Sequence, residues 1–259
     1  MGASSENTAQ KSPLPSKDKS LVEINGLRKS FGSNHVLRGF NLQLGENESI
    51  AVLGQSGSGK SILIKCIVGL VKPDNGELKV FGKNINDLNQ RELDRMRMEV
   101  GFLFQSNALY DSMTVRHNLE FPLRRHHLSK TQLEIDSTVE EALDDVGLLH
   151  AIDLMPSELS GGMRKRVSLA RTLITRPRVM LYDEPTTGLD PITAREINAL
   201  MIKVQRKYNT SSIIISHDLA SIRMTAQRII MLIDGINYAE GNYEQLEHHS
   251  DPRVSAFFE

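Results

Sequence analysis

The chain of 259 residues contains a single cysteine, Cys66. One thiol makes neither an intramolecular disulfide nor a multi-thiolate metal site, which fits a reducing compartment, the cytoplasmic side of a membrane. Excess charge is lacking too: 31 Lys and Arg stand against 32 Asp and Glu, a formal net charge of −1. A phosphate-tracking surface normally shows as a surplus of basic residues, so no nucleic-acid partner is expected. No stretch nears the 18 or so apolar residues of a membrane-spanning helix, and runs such as Ile213 to Ile215 and Ile229 to Ile233 are strand-length. The first twenty residues have no apolar core of a secretory leader, and Glu6 stands where a myristoylation motif needs Ser or Thr. With Pro13, Pro15 and closely spaced lysines, residues 1–20 are expected to form a disordered polar tail, too poor in apolar surface to offset the entropy of ordering. The rest is of ordinary soluble composition and long enough to bury a sizeable core.

What is there follows a strand-and-helix rhythm. Leu21 to about Leu44 has short strand-like runs between turns at Gly26, Gly32 to Asn34 and Gly45 to Asn47, the pattern of an antiparallel sheet. Ser49 to Leu53 reads as a buried strand that ends in a glycine-rich turn, after which Ser61 to Leu70 has helical spacing. Glu77 to Val80 and Val100 to Phe104 read as strands, while Val115 to Leu123, Gln132 to Val146 and Met163 to Thr175 have helical period. The apolar runs Val179 to Tyr182, Ser212 to Ile215 and Ile229 to Ile233 are separated by the helical stretches Ile192 to Tyr208 and Leu219 to Thr225. Strands alternating with helices predict a parallel sheet and an α/β fold. Residues 21–259 are expected to form one unit, with a helical insertion at about 106–176.

Gly54-Gln55-Ser56-Gly57-Ser58-Gly59-Lys60-Ser61 matches the phosphate-binding pattern GxxxxGK[ST] and lies between a predicted strand and a predicted helix, the context its mechanism needs. By average composition such a match arises by chance in on the order of 1% of chains this long. The glycines let successive N–H groups converge on phosphate oxygens at a helix N-terminus that already carries partial positive charge. Lys60 adds a full charge, and Ser61 offers a hydroxyl to Mg²⁺ bridging the β and γ phosphates. The second element is Val179-Met180-Leu181-Tyr182-Asp183-Glu184-Pro185, an apolar strand ending in two acids. Asp183 is the candidate carboxylate on the metal side. Glu184 is the candidate base for an attacking water, which points to hydrolysis.

Between these two motifs stands Leu159-Ser160-Gly161-Gly162-Met163, and with it the chain resembles the ATP-binding subunits of ABC transporters. The usual last residue of that signature is Gln; Met163 replaces it and leaves the serine and glycine contacts intact. Ser160 can cap the following helix, and its hydroxyl with the glycine N–H groups forms a second anion site. The resemblance implies a P-loop NTPase (RecA-like) α/β core with an antiparallel β subdomain and an inserted helical subdomain carrying the signature. It implies ATP and Mg²⁺ as ligands, and a head-to-tail dimer in which Ser160, Gly161 and Gly162 meet the nucleotide held by the other copy. It also assigns the remaining positions. Gln105 senses metal and water, Asp190 contacts the opposite subunit, His217 binds the γ-phosphate, and Phe31 stacks on adenine. Phe31 could instead be a core aromatic of the first sheet.

Three features are expected to be bland. The pairs His126-His127 and His248-His249 are surface residues, because adjacent side chains diverge and cannot share a metal. Cys66 is a small buried thiol without reactivity. Arg164-Lys165-Arg166 is a solvated helical face.

Within the family, the strings Phe104-Gln105-Ser106-Asn107-Ala108-Leu109-Tyr110, Asn118-Leu119-Glu120-Phe121-Pro122-Leu123-Arg124, Met155-Pro156-Ser157-Glu158 and Asp251-Pro252-Arg253-Val254 are similar to those of Mla/Mce-type lipid transport ATPases. That resemblance implies a peripheral subunit on the cytoplasmic face of the inner membrane. Its partners would be an Mce-associated permease with accessory and lipid-carrier subunits, and its cargo phospholipid or a related lipid. The alternatives are an importer ATPase for another solute and a soluble ABC-type ATPase of DNA repair or translation. Against the last stand one cassette, one cysteine and no long heptad run.

Overall fold

The computed structural model describes residues 20–126 and 131–258. The expected polar tail, apart from Ser20, and His127 lie outside the described residues, as does the side chain of His126. Strands β1 (Val22–Phe31), β2 (Asn34–Leu44), β4 (Asn75–Val80) and β5 (Lys83–Asn84) make an antiparallel sheet of order β2-β1-β4-β5. A second sheet contains β3 (Ser49–Leu53), β6 (Val100–Leu103), β7 (Val179–Asp183), β8 (Ser211–Ile215), β9 (Arg228–Ile233) and β10 (Ile236–Gly241) in the order β10-β9-β3-β8-β7-β6. All its neighbours are parallel except β10, which folds back antiparallel on β9. Every residue of β3, β7 and β8 is buried, as expected of parallel strands covered on both faces.

The helices are α1 (Lys60–Ile67), α2 (Gln90–Met98), α3 (Val115–His126), α4 (Gln132–Asp145), α5 (Gly161–Leu173), α6 (Pro191–Tyr208), α7 (Leu219–Thr225), α8 (Tyr243–Glu247) and α9 (Pro252–Ser255). Helices α3 to α5 enclose their own apolar cluster, with Leu119, Leu123, Val139, Leu143 and Val167 fully buried. The two sheets share another with α1, built on Phe40, Leu44, Ile50, Val52, Leu63 and Ile64. Two departures from the sequence reading matter. The strand expected over Val100 to Phe104 stops at Leu103, where its pairing to Tyr182 ends, so Phe104 and Gln105 lie on the following loop. Helix α2 was not expected. It buries only Met96, which leaves no apolar stripe, and its start is fixed by the reciprocal Asn89–Glu92 capping box.

The end of α4 is tied to α6 through one buried carboxylate. Asp145 Oδ2 accepts from Lys207 Nζ at 2.6 Å and from the Tyr208 hydroxyl, and Lys203 Nζ donates to the Asp145 carbonyl at 3.1 Å. Burial opposes its charge, but the bonds from Lys207 and Tyr208 outweigh this and hold the carboxyl below the usual range. A depressed folded value contributes stability above the unfolded value of about 3.9, and that stability is lost as pH falls through the folded value. Asp145→Asn is therefore expected to cost about 1 kcal/mol near pH 7: the Tyr208 hydroxyl loses a charged acceptor, while the exposed Lys207 keeps Glu141 at 3.1 Å. Urea midpoints of parent and variant should converge as pH drops below about 3.9. A gap that persists at low pH would show that the charge pairing is not its source.

Candidate active site

The loop from Gly54 to Gly59 leaves β3 and delivers the chain to α1. Gly59 caps that helix at φ +103°, and a Cβ there would lie 2.6 Å from Cγ1 of Val36, so both backbone and space demand glycine. No side chain caps α1, which leaves its first N–H groups for an outside acceptor at the positive end of the helix. Gln55, Ser56 and Gly57 are exposed, while the buried Ser58 Oγ has no hydrogen-bond partner. Lys60 folds back over the loop, its Nζ donating to the carbonyls of Gly54 at 2.7 Å and Gln55 at 2.9 Å. Burial holds the Lys60 ammonium below its ordinary value, with the carboxylates of Glu184 and Asp183 opposing.

The sheet brings β7 to this loop although β8 intervenes between β3 and β7. Ser61 Oγ donates to Asp183 Oδ1 at 3.2 Å, across 122 residues of sequence. Burial pushes the Asp183 carboxyl above the usual range; the Ser61 hydroxyl opposes the shift and the Glu184 charge adds to it. Among the described residues no group of three or more His, Cys, Asp or Glu is placed to hold a metal. Two oxygen donors beside a phosphate cradle suit Mg²⁺, which keeps several waters and takes phosphate oxygens rather than a full protein cage.

Glu184 turns out of the strand at φ 51°, a left-handed conformation that costs a non-glycine residue about 1 to 3 kcal/mol. Its N–H, donating to the Ile215 carbonyl at 2.9 Å, fixes the turn. Its Oε2 accepts from Thr187 Oγ1 at 3.2 Å and meets His217 Nδ1 at 2.9 Å. A carboxylate and an imidazole thus share a hydrogen bond beside the phosphate loop, and the imidazole is exposed.

Ser160 caps α5, its Oγ accepting from the Met163 N–H at 3.2 Å. Ser160 and Gly161 are exposed, and a Cβ on Gly162 would lie 2.7 Å from Cγ2 of Thr193. Thr193 Oγ1 in turn donates to Asp190, which caps α6 through the N–H groups of Ile192 and Thr193. The signature and Asp190 are therefore neighbours. Gln105 is exposed on the loop after β6, and Phe31, 50% exposed at the end of β1, lies outside the core with Lys29 Nζ 5.2 Å from its ring centre. Among the described residues no hydrogen bond joins residues 160–162 to the phosphate loop.

The family model described as ABC transporter matches residues 37–187. The chain belongs to the ABC transporter family. It is 37% identical over 241 residues to the intermembrane phospholipid transport system ATP-binding protein MlaF of Haemophilus influenzae, covering 93% of this chain and 90% of that protein. It is 36% identical over 215 residues to the methionine import ATP-binding protein MetN of Legionella pneumophila, covering 83% of this chain and 62% of that protein. Among solved structures it is similar to a dimeric ATP-binding cassette in a post-hydrolysis state with ADP and Pi bound: TM-score 0.77, 32% identity, 85% of this chain and 98% of that one. The ABC protein is an ATPase with the P-loop NTPase fold.

One expectation about this ATPase fails. Arg164-Lys165-Arg166 is not a solvated face: Lys165 is 2% exposed, with its Nζ 3.2 Å from the Gln105 carbonyl, and Arg164 donates to the Leu159 carbonyl at 2.8 Å. Arg166 pairs with Glu196 at 2.5 Å. The aliphatic stems lie along the protein while the charged heads reach carbonyls and a carboxylate, which a count of charges in sequence does not reveal. Cys66 is fully buried, and burial pushes its thiol up to about 11, the state of an inert structural cysteine. His248 and His249 are both exposed.

Proposed function

We propose that the chain is the motor subunit of a transporter that moves phospholipid or a related lipid between envelope membranes. It would work as a head-to-tail dimer beneath an Mce-associated permease, on the cytoplasmic face of the inner membrane. The observation that carries the lipid reading is the 37% identity to a phospholipid transport ATPase along 93% of the chain. The exposed aromatics Phe104 and Tyr110 beside Gln105 support a docking face for the permease.

In this reading Phe31 stacks on adenine, and the N–H groups of residues 54–61 with Lys60 hold the phosphates. Ser61, Asp183 and Gln105 would hold Mg²⁺ by their oxygens, and a bound ion would supply positive charge against the phosphates. Glu184 accepts a proton from the attacking water. His217 holds Glu184 from one side and the γ-phosphate from the other. Ser160, Gly161 and Gly162 close the site of the second copy, and Asp190, which caps α6, contacts the opposite subunit.

Affinity purification from membranes should retain a multi-spanning protein, and loss of the ATPase should alter envelope lipid distribution and sensitise cells to detergent. The similarity to a methionine importer supports a second reading, a small-solute importer. Unchanged lipids and barrier together with failed uptake of a solute such as methionine would overturn the lipid reading in its favour.

A further inference from the structure

The segment from Phe104 to Thr114 joins β6 to α3 and contains two successive left-handed residues that are not glycine, Asn107 at φ 59° and Ala108 at φ 52°. Such a backbone persists only where its surroundings over-determine it. Three side chains grip it, mostly by its carbonyls. Asn118, fully buried on α3, donates to the carbonyls of Tyr110, Met113 and Thr114 at 3.0 to 3.1 Å and accepts from the Tyr110 N–H at 2.8 Å. Arg171 on α5 donates to the Ala108 carbonyl and lies 4.6 Å from the Tyr110 ring centre. Lys165, also on α5, has its Nζ 3.2 Å from the Gln105 carbonyl and 3.5 Å from that of Phe104.

Lys165 is the informative one. It is 2% exposed and, among the described residues, forms no ion pair. Its ammonium meets the two carbonyls directly and feels the Asp183 carboxylate only at longer range, so burial still holds it below its ordinary value, and an apolar side chain of similar volume would serve packing better. It sits five residues after Ser160, about 7 Å along the same helix. Two of the three grips therefore issue from the helix that begins with the signature.

We propose that Lys165 is a positioning residue that locks the backbone of Gln105 to the signature helix, so that Gln105 and Ser160 move as one body. The lock rests on the role given to Gln105 above. It places the group facing the chain's own nucleotide and the group facing the partner's nucleotide on one rigid piece.

A double-mutant cycle on the ATPase of the full chain tests it. Lys165→Met, which keeps the stem and removes the donor, should lower kcat about tenfold with KM for ATP within about twofold of the parent. Lys165→Arg should restore kcat to within about threefold, and melting curves should show all variants folded. Gln105→Ala should lower kcat about thirtyfold, and the double variant should fall no further, because residues acting as a unit are non-additive. Losses that multiply to about three-hundredfold would overturn the lock alone. An unchanged kcat in Lys165→Met would do the same. Parental turnover in Gln105→Ala would instead overturn the role of Gln105 and the lock with it. If Lys165→Met does not fold, Lys165→Gln, with its shorter single donor arm, carries the cycle.

Discussion

Glu184→Gln is expected to hold nucleotide within about threefold of the parent's affinity and to turn it over about two to three orders of magnitude more slowly. The substitution preserves shape, so the left-handed turn and the N–H bond to the Ile215 carbonyl are unaffected. Thr187 can still donate to the side-chain carbonyl. What disappears is a group able to take a proton from water: an amide is not a base at neutral pH. Ser61 and Asp183 remain 3.2 Å apart, and Lys60 keeps its place over the loop, so binding of phosphates should survive. A nucleotide-bound dimer should accumulate, visible as an ATP-dependent shift in size-exclusion chromatography, while phosphate release falls away. Hydrolysis within a few-fold of the parent would show that Glu184 is not the base.

The elements legible in the sequence are those with a strong local pattern. The short apolar run Ser49 to Leu53 reads as a buried strand, and the glycines after it as a loop whose backbone approaches phosphate closely. Ser160 three residues before Met163 reads as a cap, and the structure places that hydrogen bond at 3.2 Å. Long-range geometry is another matter. That Ser61 meets Asp183 depends on the strand order β3-β8-β7, which follows from helical crossovers rather than from any string of residues. Helix α2 has only its capping box, Asn89 with Glu92, to mark it in the sequence, because a helix that buries Met96 alone carries no apolar period. The burial of Lys165 had no sequence signal at all. A lysine between two arginines looks solvated until the Gln105 carbonyl is seen beside it.

The two cradles pose the strongest test, since in the proposed head-to-tail dimer each completes a site only with the other copy, and no hydrogen bond links them among the described residues. Lys60→Ala removes the buried charge over the phosphate loop, and Ser160→Arg puts a bulky cation in the signature while removing the cap of α5. Each variant alone should fail to form an ATP-dependent dimer, because both of its sites carry the same lesion. Mixed together, they form one site with both lesions and one with none. Differently tagged variants in a Glu184→Gln background should therefore associate with ATP only as a mixture, at least about tenfold above either variant alone, a difference of about 1.4 kcal/mol. If loop and signature served one nucleotide within a single chain, no mixture could rebuild an intact site. The cap lost in Ser160→Arg costs about 1 kcal/mol of helix stability, small enough for the cassette to stay folded, which thermal melting checks. Folded partners that fail to associate as a mixture would rule out the head-to-tail arrangement, and with it the assignment of Ser160, Gly161 and Gly162 to the nucleotide of the other copy.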